Sequence, residues 1–192
     1  MENAQPEEKT TPQTKLNQLT FVTGNENKLR EVREILGNVV KVESVDLQLS
    51  ELQGTPIEVA RAKAVQAFKK HRQPLICEDT SLCFNAYGGM PGAYIKDFLE
   101  KLKPEGLAKM AAAFEDRSAY AQCIFSFVCS ENEEPVQFIG KCDGKIVEPR
   151  GENKFGWDPC FQPNQPGEKT FSELTPEEKN KVSHRGLALE KL

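Results

Sequence analysis

The sequence predicts an α/β fold, a mixed sheet flanked by helices, and three observations carry that prediction. A short apolar strand passes through a Gly turn into an amphipathic helix near the start, two Thr-Pro-x-Glu signatures open helices at Thr55 and Thr175, and residues 118 to 130 alternate in polarity. Residues 19 to 23 (LTFVT) form the first strand, and Gly24 to Asn27 turn into a helix whose apolar positions Leu29, Val32, Ile35 and Leu36 recur at helical spacing. A second strand is expected over 39 to 47. Thr55-Pro56-Ile57-Glu58 supplies an N-cap, a Pro in the first turn and a capping acid for a helix from 56 to about 70. Residues 74 to 77 read as a short strand with Glu78-Asp79-Thr80 at its C-terminal end. Gly88, Gly89, Pro91 and Gly92 form a loop, followed by helices over 93 to 102 and 104 to 114. The strand at 118 to 130 turns through Glu131 to Pro135 into 136 to 142, Asp143-Gly144 turns again into 145 to 148, and Thr175 caps a last helix. Parallel units come first and an antiparallel meander later.

Composition narrows the function. The chain has 192 residues, with 25 Lys plus Arg against 29 Asp plus Glu and a net charge of −4. It suits one domain with an ample core, and it lacks the basic excess expected of a duplex-DNA binder. No nucleic-acid partner is expected. Residues 1 to 18 contain almost nothing apolar and read as a disordered leader ahead of a single domain over 19 to 192. That leader has acids and Pro where a secretory signal needs a basic start and an apolar centre, and no stretch of about 18 apolar residues occurs. A soluble cytoplasmic protein without a membrane partner is expected. The 6 cysteines sit in apolar stretches and never in CxxC spacing, which favours reduced, mostly buried thiols over disulfides or zinc.

Four constellations could carry chemistry. Thr23-Gly24-Asn25-Glu26-Asn27-Lys28 hands a strand to a helix through a Gly and ends in a cation, which suits a phosphate group; it is not a Walker A loop, and an ordinary capped turn explains it too. Glu78 and Asp79, with Glu51 on a loop, offer oxygen ligands for a hard cation, or one exposed acid and one turn cap. Lys28, Lys63 and Lys96 near βα connections favour the cation, since metal plus lysines describes a triphosphate site. Phe155-Gly156-Trp157-Asp158 is material for a base-stacking pocket or for anchoring a loop in the core. Lys179 and Ser183 share a helix face with His184 and Arg185 stepping round it, a site or a solvated face.

In this order, TGNENK (23 to 28), EDTSLCFNAYGGMPGAYIK (78 to 96), FGWDP (155 to 159) and EKNKVSHR (178 to 185) resemble the inosine triphosphate pyrophosphatase (HAM1) family over about residues 19 to 189. The resemblance implies a long mixed sheet with lobes on either side, a nucleotide cleft between them and a homodimer. It also implies hydrolysis of ITP, dITP and XTP, non-standard purine nucleoside triphosphates, to the monophosphate and pyrophosphate. It makes the turn residues Thr23, Gly24, Asn25, Glu26, Asn27 and Lys28, with Thr80, substrate-binding, and Lys63, Lys96 and Lys179 further nucleotide contacts. Glu51, Glu78 and Asp79 fall at the metal and water-activating carboxylates, for Mg²⁺ or a substituting Mn²⁺. Phe155, Gly156, Trp157, Asp158, His184 and Arg185 match the base pocket. Asp79 is expected to be the general base. A Maf-like pyrophosphatase acting on other modified nucleotides and a nucleotide sensor without turnover are the rival readings.

Overall fold

The computed structural model describes residues 17–153 and 155–192. The leader assigned to 1 to 18 lies outside the described residues as far as 16, and Gln18 already belongs to the first strand. Seven strands form one mixed sheet in the order β2-β1-β3-β5-β6-β7, with β4 on β3. These are β1 (Gln18–Val22), β2 (Lys41–Val45), β3 (Leu75–Phe84), β4 (Pro91–Gly92), β5 (Ser118–Val128), β6 (Val136–Ile146) and β7 (Phe161–Pro163). β1 runs parallel to β2 and β3, and every later pairing is antiparallel. The helices are α1 (Glu26–Leu36), α2 (Pro56–His71), α3 (Ile95–Ala112), α4 (Pro176–Val182) and α5 (His184–Leu189).

Both capping boxes form, at Thr55 with Glu58 and at Thr175 with Glu178. α3 breaks at Lys103, whose φ is 60°, because a residue before Pro is disfavoured in the helical region. α1 and α5 cover one face of the sheet, packing Leu29, Val32 and Ala188 on Phe21, Ile76 and Phe125. α2 covers the other with Ala64, Ala67 and Phe68 on Val22, Leu75 and Cys77. α3 and the segment from Trp157 to Leu174 cover the far ends of β3, β5 and β6.

Three expectations are corrected. β2 spans only Lys41–Val45, not 39 to 47. Asp143-Gly144 is no turn: both residues stay in β6, opposite Tyr120 and Ala119. The last helix is two helices, since Ser183 sits at an extended ψ of 154° and caps α5 through the Gly186 amide, so Lys179 and Arg185 belong to different helices. Five of the cysteines are buried, Cys129 is exposed, and all six are free thiols.

Candidate active site

The β1–α1 turn is built as a capped helix start. The Asn25 side chain accepts from the amides of Asn27 at 3.0 Å and Lys28 at 3.1 Å. Two of the amides that a bare helix N-terminus would offer an anion are therefore taken, and the turn's main contribution is the Lys28 ammonium, 3.2 Å from Glu78 Oε1.

β3 continues to Phe84, so Glu78, Asp79 and Thr80 lie mid-strand and not at its end. Strand alternation then sends neighbours to opposite faces. Glu78 and Thr80 point to the side of α1 and α5, where the Thr80 hydroxyl donates to Glu78 and Arg185 donates from Nε and Nη2 at 3.2 Å each. Asp79 points to the side of α2, where Lys63 donates to Oδ1 at 2.7 Å. Each carboxylate thus has its own cation, and the charge of Glu78 is only a minor contributor to the rise in the Asp79 pKa. Burial pushes Glu78 up, but Arg185 and Lys28 outweigh it and hold the carboxyl far below the usual range. For Asp79 burial prevails over Lys63 and the pKa is raised.

Lys63 Nζ also lies 3.0 Å from Glu51 Oε2, and Lys96 Nζ lies 3.1 Å from Glu51 Oε1. Burial raises the Glu51 pKa, and the hydrogen bonds from Lys63 and Lys96 more than reverse that. Among the described residues no three acidic, His or Cys side chains stand together as a ready metal cluster. Glu51, Glu78 and Asp79 are interleaved with lysines instead. One oxygen is left over: Asp79 Oδ2 is buried without a hydrogen-bond partner.

The other end is aromatic. Trp157 packs against Phe161, Phe171 and His184, and the His184 ring stacks on Phe171 at 5.9 Å and 15°. Both His184 ring nitrogens are buried and unpartnered. Behind this pocket lies a buried ion network that sequence reasoning missed, centred on Glu31 of α1. Glu31 accepts from Lys179 at 2.7 Å and from Arg185 Nη1, and Lys179 also donates to Asp158 at 2.5 Å. Burial raises the Glu31 pKa, yet Arg185 and Lys179 bring it below the usual value. The one sequence signal was Glu31's place beside the core position Val32, on the helix face that should be apolar.

Burial, then the charges of Arg185 and Lys179, push the His184 pKa well below 6.5. The folded ring stays neutral where the unfolded chain takes up a proton, so stability falls as pH drops below about 6.5. Thermal melts from about pH 7.5 to 5.5 are expected to show Tm declining and His184→Phe flattening that decline. An equal slope in the variant would assign the effect to other groups.

A cavity of about 540 Å³ is bounded by two of the apolar cores, through Val22 and Cys77 of one and Ile95 and Trp157 of another. Thr23, Gly24, Asn25 and Lys28 line one end, Glu51, Lys63, Glu78, Thr80 and Lys96 the middle, and Phe155, Gly156, Trp157, Asp158, His184 and Arg185 the other end. Asp79 faces an adjoining space of about 290 Å³ that shares Lys28, Glu51, Lys63, Glu78, Thr80 and Lys96 with it. Glu26 and Asn27 line neither cavity, and Lys179 lies behind the pocket with its ammonium 4.9 Å from the Phe155 ring centre. Ile95 and Leu99 of α3 add apolar wall that the motifs did not suggest.

Sheet order and cavity together define an α/β protein whose Gly turn opens onto a hollow lined by lysines, carboxylates and aromatics. The chain belongs to the Ham1 family, whose model matches residues 19–192. It is 50% identical over 181 residues, 94% of each chain, to an inosine triphosphate pyrophosphatase of Aspergillus fumigatus. Among solved structures it is similar to a HAM1 protein from Coxiella burnetii, with TM-score 0.80 and 30% identity over 92% of this chain and 96% of that one. A nucleoside-triphosphatase, dITP/XTP pyrophosphatase, from Mycobacterium abscessus aligns with TM-score 0.68 and 29% identity over 91% and 97%. No helix among the described residues is long and apolar enough to cross a membrane.

Proposed function

We propose that the chain hydrolyses ITP, dITP and XTP to the monophosphate and pyrophosphate. Family membership and the 50% identical relative support this, and so does one juxtaposition: a single cavity has lysines and carboxylates at one end and an aromatic, donor-lined pocket at the other. Lys28, Lys63 and Lys96 meet the triphosphate, and Phe155 and Trp157 hold the purine by stacking. Asp79 is the general base. Lys63 fixes its Oδ1, Oδ2 is free to take a proton from water, and burial makes that oxygen more basic than an exposed Asp. The water oxygen bonds to the α-phosphorus, the α–β bridging bond breaks, and the charge on departing pyrophosphate is met by the lysines.

Glu51, with Asp79 across Lys63, would hold a hard divalent cation, Mg²⁺ with Mn²⁺ as a substitute, while Asp79 keeps Oδ2 for the proton. When bound, such an ion neutralises phosphate charge and acidifies water. Glu78 is the weakest of the three acids for that role, because its charge is already met by Arg185 and Lys28. Residues 19 to 192 act as one domain in a cytoplasmic homodimer.

Incubation with ITP, XTP, ATP and GTP plus Mg²⁺ is expected to release pyrophosphate from ITP and XTP and little from the other two. Orthophosphate instead would mean a terminal phosphatase, preference for modified pyrimidines a Maf-like enzyme, and binding without turnover a sensor.

A further inference from the structure

We propose that Asp46 holds the sugar, its carboxylate accepting a hydrogen bond from the 3′-hydroxyl that ITP and dITP share, an inference that rests on the nucleotide reading above. β1 and β2 are adjacent and parallel with Val22 opposite Val45, and the Thr23 amide donates to the Val45 carbonyl at 3.0 Å. The residue that follows β2 therefore stands beside the β1–α1 turn. The contact is close: a Cβ added to Gly24 would lie 2.8 Å from Asp46 Cγ and Oδ2 and 2.9 Å from Oδ1. Gly24 thus leaves room for this carboxylate on the cavity wall, which both residues line.

Charge decides what Asp46 can face. The other acids on that wall are paired, Glu51 with Lys63 and Lys96, Glu78 with Arg185 and Lys28, and Asp158 with Lys179. Asp46 is exposed on that wall and has no ion pair or side-chain hydrogen bond among the described residues, so its carboxylate oxygens are open to a ligand. An uncancelled carboxylate repels phosphate and attracts a hydroxyl donor. By covalent order the sugar lies between the triphosphate, near Lys28, and the purine, near Trp157, and so passes this wall.

The test compares kcat/KM for ITP and for 2′,3′-dideoxy-ITP within each variant, so that losses in folding or phosphate affinity cancel in the ratio. The parent is expected to favour ITP by roughly 10-fold or more, the range of a hydrogen bond to a charged group. Asp46→Ala should bring the ratio near one, and Asp46→Asn, which keeps an acceptor, should give an intermediate value. Gly24→Ala, whose methyl displaces the carboxylate, should lower the ratio as well. dITP should behave as ITP does, and 3′-deoxy-ITP as the dideoxy analogue; the reverse overturns the assignment. A parent ratio near one, or an unchanged ratio in Asp46→Ala, overturns the assignment. No turnover of ITP by the parent would instead overturn the enzymatic reading, and the same ratio taken on Kd from Trp157 fluorescence would still decide Asp46.

Discussion

Asp79→Asn is expected to lower kcat for ITP by roughly 10²-fold or more while nucleotide still binds, the usual cost of losing a general base. The substitution keeps the shape of the group and reverses its hydrogen bonding. Lys63 donates to Oδ1 at 2.7 Å, so the Asn carbonyl turns to that ammonium and the amide N–H₂ falls where Oδ2 now lies unpaired. A donor then faces the water from which a proton must be taken. Folding should suffer little, because Asp79 is buried with a raised pKa and its ionised form is already disfavoured there. Steady-state kinetics with pyrophosphate detection, beside a binding measurement, separates the two effects. Turnover within about threefold of the parent would remove Asp79 as the base and leave Glu51, largely exposed between two lysines, as the next acid to test.

Local chemistry made much of the fold legible. Gly24 with the periodic Leu29 and Val32, the two Thr-Pro-x-Glu starts and the Lys103-Pro104 break each have a cause within a few residues, and each appears in the structure. What failed was decided by partners far along the chain. β3 runs through four polar residues, Glu78 to Ser81, because β5 pairs with it all the way from Val128 opposite Leu75 to Ala119 opposite Phe84. The buried charges inside it are tolerated because Arg185, Lys28 and Lys63 reach them from three different helices. Asp143-Gly144, a turn dipeptide by itself, is held straight by the strand beside it. Most motif residues line one cavity, whereas the placing of Glu31 and Asp46 and the opposite facing of Glu78 and Asp79 follow only from sheet register and helix docking.

Arg185 is where the proposed rejection of ATP, which differs from ITP in carrying an amino group where the purine has O6, can be tested. Arg185 is 2% exposed, and four of its five N–H groups are directed at Glu78, Thr80 and Glu31. One Nη1 N–H remains for the base. His184, neutral and unpartnered at both nitrogens, is the second group able to meet O6. A donor aimed at O6 faces another donor when adenine enters, and each such clash costs about 1–3 kcal/mol, roughly a 5- to 150-fold bias. Strong rejection needs both. Arg185→Ala removes the cation that Glu78 and Glu31 share and leaves each with a single lysine, so it is expected to lower Tm markedly. Arg185→Lys keeps the charge and loses the fork that spans Glu78 and Glu31, which makes it the variant for kinetics. It should reduce kcat/KM for ITP far more than for ATP, shrinking their ratio by roughly 5-fold or more. If the ratio holds while Tm falls, Arg185 serves the fold alone and His184 carries the discrimination; His184→Phe, which keeps the stacking on Phe171, would then collapse the ratio by itself.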